Sequence, residues 1–361
     1  MGPFLKHISL MSLSALVALS CTGNVDQQEE ERTLVLTPDR TVTYAGGDPV
    51  SFSVMYGDED LTGSDAVTII YTSEDSEVHL GAGENVFSPQ REGTYVFTAL
   101  YNADEVLTSE PVEITVTADK PVYREYDRQI LAMQFTSVGC PNCPAMSSGL
   151  KTIQEEYPDK VDAVSFHQYY NGVFDPMECD EASLFSTKFN VTGLPQCYID
   201  MHLEKVTSDM SDLRQGVETA LARETFCGIA VESNLDETSG RLSVTVKVTS
   251  NRSESFRYLV FLVEDGIEYT QYGITGSYVH NNVVRDMLST SSNGERLNAG
   301  KPLIEGIEYE SSRSVSLDDG WKTENMRIVA TALVSEDGGV TYVSANTISC
   351  SLGGNADYAV K

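Results

Sequence analysis

Two cysteines spaced by two residues, Cys140-Pro141-Asn142-Cys143, are the part of this sequence whose residue types and spacing can do chemistry. Thiol/disulfide exchange needs one sulfur held as thiolate, a second placed to resolve the mixed disulfide, and room for a substrate strand. The pair follows the apolar run Ile130-Leu131-Ala132-Met133-Gln134-Phe135-Thr136, read as a strand. It opens a helix whose apolar positions Met146, Leu150, Ile153 and Tyr157 recur at helical steps until Pro158 stops it. This reading puts Cys140 at the helix N-cap. A sulfur there accepts hydrogen bonds from the second and third helical N–H groups and feels the positive end of the helix dipole, worth about 1 to 2 kcal/mol to a thiolate. Pro141 and Pro144 leave those donors in place, because Asn142 and Cys143 keep their N–H and proline is favoured in the first helical position.

At this point a likeness emerges. The run 134–143 resembles the first strand and active-site turn of thioredoxin-fold proteins, and Val191-Thr192-Gly193-Leu194-Pro195, ahead of a strand read at 196–201, resembles their cis-proline loop. A last amphipathic helix with Met210, Leu213, Val217 and Leu221 agrees with it. The resemblance implies a thioredoxin-like α/β domain with Cys140 as nucleophile, Cys143 as resolving thiol and Pro195 beside a backbone edge that pairs with an extended substrate. No metal or nucleotide cofactor is implied. Two residues depart from the redox-active pattern. Gly139 stands where Trp is common before the first Cys, and Gln134 where a buried carboxylate is expected. Gln cannot take a proton, so Cys143 lacks its usual base. The motif also lies further from Pro195 than in a minimal thioredoxin, and the excess at 169–176 is read as a decorated surface loop.

The elements that must position this site belong to a chain of 361 residues, long enough for two or three cores, with three preferred. A hydrophobic share of 41% and a charged share of 22% exclude a polytopic membrane protein and a disordered one. Lys plus Arg number 24 against 54 Asp plus Glu, and the net charge of −30 argues against nucleic acid or an anionic membrane surface as partner. The acidity is read as a solvated surface rather than as calcium sites.

The N-terminus carries Lys6, an uncharged stretch from Ile8 to Leu19, then Ser20-Cys21, the pattern of an export signal. With Thr22-Gly23-Asn24 following, Cys21 resembles the lipidated residue of a bacterial lipobox, which implies an acyl anchor rather than a spanning helix. Residues 22–33, with Glu29-Glu30-Glu31, read as an acidic tether. Residues 34–118 read as strands parted by Gly-containing turns, and Glu92-Gly93-Thr94-Tyr95 resembles the tyrosine corner of immunoglobulin-like sandwiches. The thioredoxin-like domain is expected over 119–227. A C-terminal β-sandwich is expected over 228–361, interrupted by an irregular stretch from Gly266 to Gly320.

Within that stretch, Tyr278-Val279-His280-Asn281-Asn282-Val283-Val284-Arg285-Asp286-Met287-Leu288 resembles a segment of the outer-membrane protein 28-related lipoproteins of Gram-negative bacteria, whose domain order most of the chain resembles. That resemblance implies an outer-membrane address, on the periplasmic side or the cell surface. His280 and Arg285 either bind a ligand or, the reading preferred here, tie the loop to the sandwich with an Asp286 ion pair. Of the seven cysteines, Cys179, Cys197, Cys227 and Cys350 remain beyond the lipidation and dithiol sites. In an exported protein they are expected to pair, Cys179 with Cys197 and Cys227 with Cys350. A zinc site drawing on His167 or His202 competes with this. Two functions stay open: thiol/disulfide exchange on thiol- or disulfide-containing envelope proteins, or a non-enzymatic adhesion or assembly protein that keeps the thioredoxin fold as scaffold.

Overall fold

A computed structural model describes residues 32–361 except 74, 75 and 104; the export signal, Cys21 and the acidic run 29–31 lie outside the described residues. Alternation of apolar and polar residues builds the N-terminal part. In Leu34–Pro38 and Val50–Tyr56 every second side chain is buried, as a strand with one wet face requires. These strands and Glu59–Asp60 form one sheet, with Val86–Phe87 alongside. The facing sheet runs Val42–Tyr44, Val112–Thr117, Gly93–Asn102, Val67–Ser73, Ser76–His79. The two enclose Phe52, Ile69, Phe97 and Ile114, with the Phe52 and Phe97 rings 4.7 Å apart. At the expected corner the Tyr95 hydroxyl donates to the Arg91 carbonyl at 3.0 Å.

Beyond residue 119 three helices appear: α1 (Cys143–Glu156), α2 (Asp180–Lys188) and α3 (Met210–Leu221). Met146, Leu150 and Ile153 of α1 are buried together with Leu213 and Val217 of α3 against one face of the strands Ile130–Thr136 and Val161–His167. Those strands are parallel, with Met133 opposite Val164, and Gln196–Ile199 runs antiparallel to the first, Cys197 opposite Gln134.

The sheet does not stop at the expected division near residue 227. Its order is Lys205–Val206, Gln196–Ile199, Ile130–Thr136, Val161–His167, Val283–Met287, Arg257–Glu264, Met326–Val334, Val343–Ser351. The reason lies on the face away from α1 and α3. Phe135 and Phe166 point there, α2 is only nine residues long, and Phe261, Val284 and Leu333 complete their burial. Phe166 stacks on Phe185 of α2 at 4.8 Å and meets Phe261 edge-on at 5.9 Å. The C-terminal strands also form a sandwich, since Cys227–Asp236, Arg241–Ser250 and Tyr309–Ser316 pack over the far end of this sheet around Val246, Tyr258 and Ile328.

The stretch 266–320, expected to be irregular, contains several paired strands. Ile267–Thr270 and Ser277–His280 form a hairpin, Val283–Met287 joins the large sheet, and Tyr309–Ser316 edges the other. Short strands such as Ser277–His280, with a single buried residue, give little apolar periodicity to read.

Asp200, fully buried, locks this body together. It receives the Arg128 guanidinium at 2.6 Å and the Leu131 N–H at 2.9 Å, while Arg128 donates to the Ala345 carbonyl at 2.7 Å. Removing one partner of a buried pair strands the other charge, so Asp200→Ala is expected to cost about 3–5 kcal/mol. Urea unfolding followed by circular dichroism measures it, and a loss under about 1 kcal/mol contradicts the assignment.

Candidate functional site

Cys140 and Cys143 form a disulfide with Cα atoms 5.5 Å apart, and each residue is only 1% exposed. The helix begins at Cys143 with Asn142 as cap, so Cys140 lies in the turn before the helix and not at its N-cap. The cause is local. Cys140 N–H donates to the Ser137 carbonyl at 3.1 Å and Cys143 N–H to the Cys140 carbonyl at 3.4 Å, two successive turns that delay the helix. Pro144 then stands early in the first helical turn, where its missing N–H costs no helical bond.

Around the turn, neutral groups replace the acid. Gln134 is buried, its amide nitrogen 3.0 Å from the Ser147 hydroxyl and its amide oxygen accepting from Ser165 at 3.1 Å. Gly139 has no room for a larger residue: a Cβ there would lie 2.8 Å from the Tyr170 carbonyl oxygen and from Val173. The 169–176 segment is therefore packed on the disulfide turn rather than standing clear as a surface decoration. Asp175, at its end, accepts from the N–H groups of Val138 at 2.8 Å and Met177 at 3.0 Å, and pairs with His167 Nδ1 at 2.8 Å. Burial pushes the Asp175 carboxyl up, but the hydrogen bond and charge of His167 with the two backbone N–H groups more than offset it, holding it below the usual carboxylate range.

The hairpin covers the other side of the turn. The Gln271 amide nitrogen lies 2.7, 3.2 and 3.3 Å from the carbonyl oxygens of Cys140, Val138 and Ser137, and Tyr272 N–H donates to the Val138 carbonyl at 2.8 Å. Next to this, a cavity of about 1000 Å³ opens between α1 and the hairpin, lined by Ser147, Lys151, His167, Tyr278, His280 and Arg327 among others. The His280 ring meets His167 at 5.2 Å and Tyr278 at 4.8 Å, and its Nε2 is buried with no hydrogen-bond partner. Burial, followed by the neighbouring His167, pushes the His280 imidazole down to about 4.

Of the expected site residues, Pro195 follows a cis Leu194–Pro195 bond and leads into Gln196–Ile199 beside the strand that ends at the cysteine turn. Arg285 is held elsewhere. It pairs with Glu264 at 3.0 Å and lies over the Trp321 ring, whereas the expected partner, Asp286, accepts from Met287 N–H. His202 lies against Arg223. Among the described residues no three His, Cys, Asp or Glu side chains gather to hold a metal ion.

The two extra disulfides do not form: Cys179, Cys197, Cys227 and Cys350 are all free. Cys197 faces α1 and α3 while Cys179 belongs to the core on the opposite side of the sheet, so the sheet itself keeps them apart. Cys227 points into the sandwich core, and Cys350 stands at its margin with its sulfur 3.5 Å from the Gly354 carbonyl. Burial pushes the thiols of Cys179, Cys197 and Cys227 up to about 12 and that of Cys350 to about 11, which makes them unreactive at neutral pH.

Gln271, Asp175 and the His167–His280 contact were missed by sequence reasoning. The one signal was Asp175-Pro176 closing a Gly-containing loop after a strand that ends in His167.

Residues 182–351 match the family described as outer membrane protein Omp28. Over that stretch the chain is similar to the Omp28-related family. The similarity points to the outer membrane of the cell envelope. No curated protein sequence matches the chain. Among solved structures, HBP35 of Porphyromonas gingivalis aligns at 14% identity with a TM-score of 0.51, over 64% of this chain and 77% of that one. At that identity the likeness shows a shared fold alone. A domain of the outer membrane lipoprotein Omp28 from Porphyromonas gingivalis aligns at 16% identity over 37% of this chain and 93% of that one, with a TM-score of 0.22. No helix among the described residues is long and apolar enough to cross a membrane.

His280 and Asp175 make the protein acid-sensitive in two steps. An unfolded imidazole takes up a proton near pH 6.5 and native His280 only near pH 4, so stability is expected to fall as pH drops through that window. Asp175 stabilises fully above about pH 4, its unfolded value, and that contribution is lost as pH falls further through its lower native value. Unfolding midpoints across pH 3–7 check this. His280→Gln should flatten the upper slope by about one proton and Asp175→Asn the lower loss; an unchanged upper slope in His280→Gln contradicts the first step.

Proposed function

We propose that this chain is a lipid-anchored envelope protein whose Cys140–Cys143 pair exchanges disulfides with thiol- or disulfide-containing envelope proteins. The observation that carries the reading is the placement of the pair. The disulfide lies between a strand and α1, the helix returns to a parallel strand, and a third, antiparallel strand enters directly after Pro195. We take 119–227 as a thioredoxin-like unit on this ground, 34–118 as an immunoglobulin-like spacer, 228–361 as a β domain that shares its sheet, and Cys21 as the lipidated residue. In this reading Cys140 is the nucleophile, Cys143 the resolving thiol and Pro195 the residue beside the substrate.

A second reading has its own support. Gln134, held by Ser147 and Ser165, offers no proton acceptor behind Cys143, and both sulfurs are enclosed. A scaffold with a static disulfide, in an adhesion or assembly protein, would be built this way. The reduction potential separates the two. Exchange predicts a value above about −300 mV, and Cys143→Ser should trap mixed disulfides through Cys140 on envelope proteins. A lower potential with nothing trapped favours the scaffold.

A further inference from the structure

The surface around the disulfide differs in charge from the rest of the molecule. The chain carries a net charge of −30, yet residues 137–150, 168–176, 191–199 and 269–280 contain no Lys, Arg or Glu and a single Asp, the buried Asp175. Instead, two of these segments present large apolar side chains to solvent: Phe174 at 72%, Tyr272 at 64%, Tyr169 at 59% and Ile274 at 39% exposure. The segments are neighbours at the disulfide turn. Gly139 abuts Tyr170 and Val173 of one, a Cβ on Gly273 of the other would lie 3.7 Å from Pro141, and Gln271 and Tyr272 bond the turn itself.

We propose that this uncharged aromatic rim docks an extended polypeptide segment whose cysteine is flanked by apolar residues, and that docking lifts the 271–276 hairpin tip off the disulfide. The proposal rests on the thiol-exchange reading and names its substrate class. Both sulfurs are enclosed as the structure stands, so a partner thiol needs the tip to move. What holds the tip is a small set of hydrogen bonds from Gln271 and Tyr272, an opening within reach of the aromatic contact that a docked peptide offers in exchange. The absence of exposed charge removes the repulsion that an acidic surface would impose on acidic partners, so selection rests on apolar contact. A polypeptide is favoured over a lipid surface because the rim flanks a disulfide and its own side chains supply no cation for anionic headgroups. In the exchange, the partner thiolate attacks Cys140 Sγ, the Cys140–Cys143 bond breaks as the new S–S bond forms, and the electron pair leaves on Cys143 sulfur, which takes a proton from water.

The test uses the full chain carrying Cys21→Ser, oxidised, with two synthetic thiol peptides, one with Cys between Leu and Phe and one with Cys between Ser and Asn. Dithiothreitol serves as the small probe. The wild type should react with the apolar peptide about tenfold faster than with the polar one, and the double variant Tyr272→Ser/Ile274→Ser should bring that ratio close to one. Gln271→Ala, which loosens the tip without altering the rim, should raise the dithiothreitol rate about tenfold. Equal rates for the two peptides in the wild type, an unchanged ratio in the double variant, or a dithiothreitol rate indifferent to Gln271 each overturn the proposal. So does binding to phosphatidylcholine vesicles that the double variant loses while the peptide ratio stays the same, which puts a lipid surface on the rim. A disulfide that a glutathione redox buffer leaves oxidised, with dithiothreitol still accelerated in Gln271→Ala, sinks the exchange reading while leaving the cover in place.

Discussion

A single parallel bridge, Ser165 opposite Val283, joins the strand that runs beside the disulfide strand to the C-terminal half of the chain. Around it Ser165 N–H donates to the Asn282 carbonyl at 2.6 Å, and Arg327 holds the Asn282 side chain at 2.7 Å and the Ala163 carbonyl at 2.9 Å. Asn282 adopts a left-handed backbone, a conformation Asn tolerates better than most residues, and this turns the chain sharply from the hairpin into the sheet. Because only Asn281 and Asn282 separate the end of the hairpin from the bridge, fixing Val283 beside Ser165 also fixes where the hairpin lies. The disulfide turn follows the adjacent strand, so the hairpin has to come to rest over it.

The electrostatics follow from that enclosure. Any ionised group near the sulfurs is taken out of water and persists only with partners. Asp175 meets the condition, since its oxygens are engaged by two backbone N–H groups and His167. It holds the turn and has little capacity left to move protons. Gln134 meets the same condition by being neutral. An interior built this way keeps a disulfide well, and leaves its reactivity to whatever opens the cover.

Much of the scaffold was legible in the sequence because it rests on strong periodic signals. The strands Val50–Tyr56 and Arg241–Ser250 and the helices α1 and α3 show the spacing that one-sided burial demands, Ile130–Thr136 shows the continuous apolar run of a strand buried on both faces, and Glu92-Gly93-Thr94-Tyr95 announced its corner. What stayed hidden depends on contacts between distant residues. Gln271 reads as one polar residue in a loop, and only the fold brings its amide onto carbonyls more than 130 positions earlier. Pairing four cysteines by their distribution along the chain failed for the same reason, because the face of a sheet on which a thiol lies is not written in its spacing. The cap at Cys140 was misplaced by two residues through turns that carry no periodic mark.

The central claim, that the hairpin lies on the disulfide turn through the backbone bond from Tyr272 to Val138, is tested most directly by native-state hydrogen exchange of the oxidised protein. The Tyr272 amide is expected to be protected well above the Gly273 and Thr275 amides at the hairpin tip, and Gln271→Ala to lower its protection about tenfold. Exchange of the Tyr272 amide at the rate of an unstructured loop would contradict it.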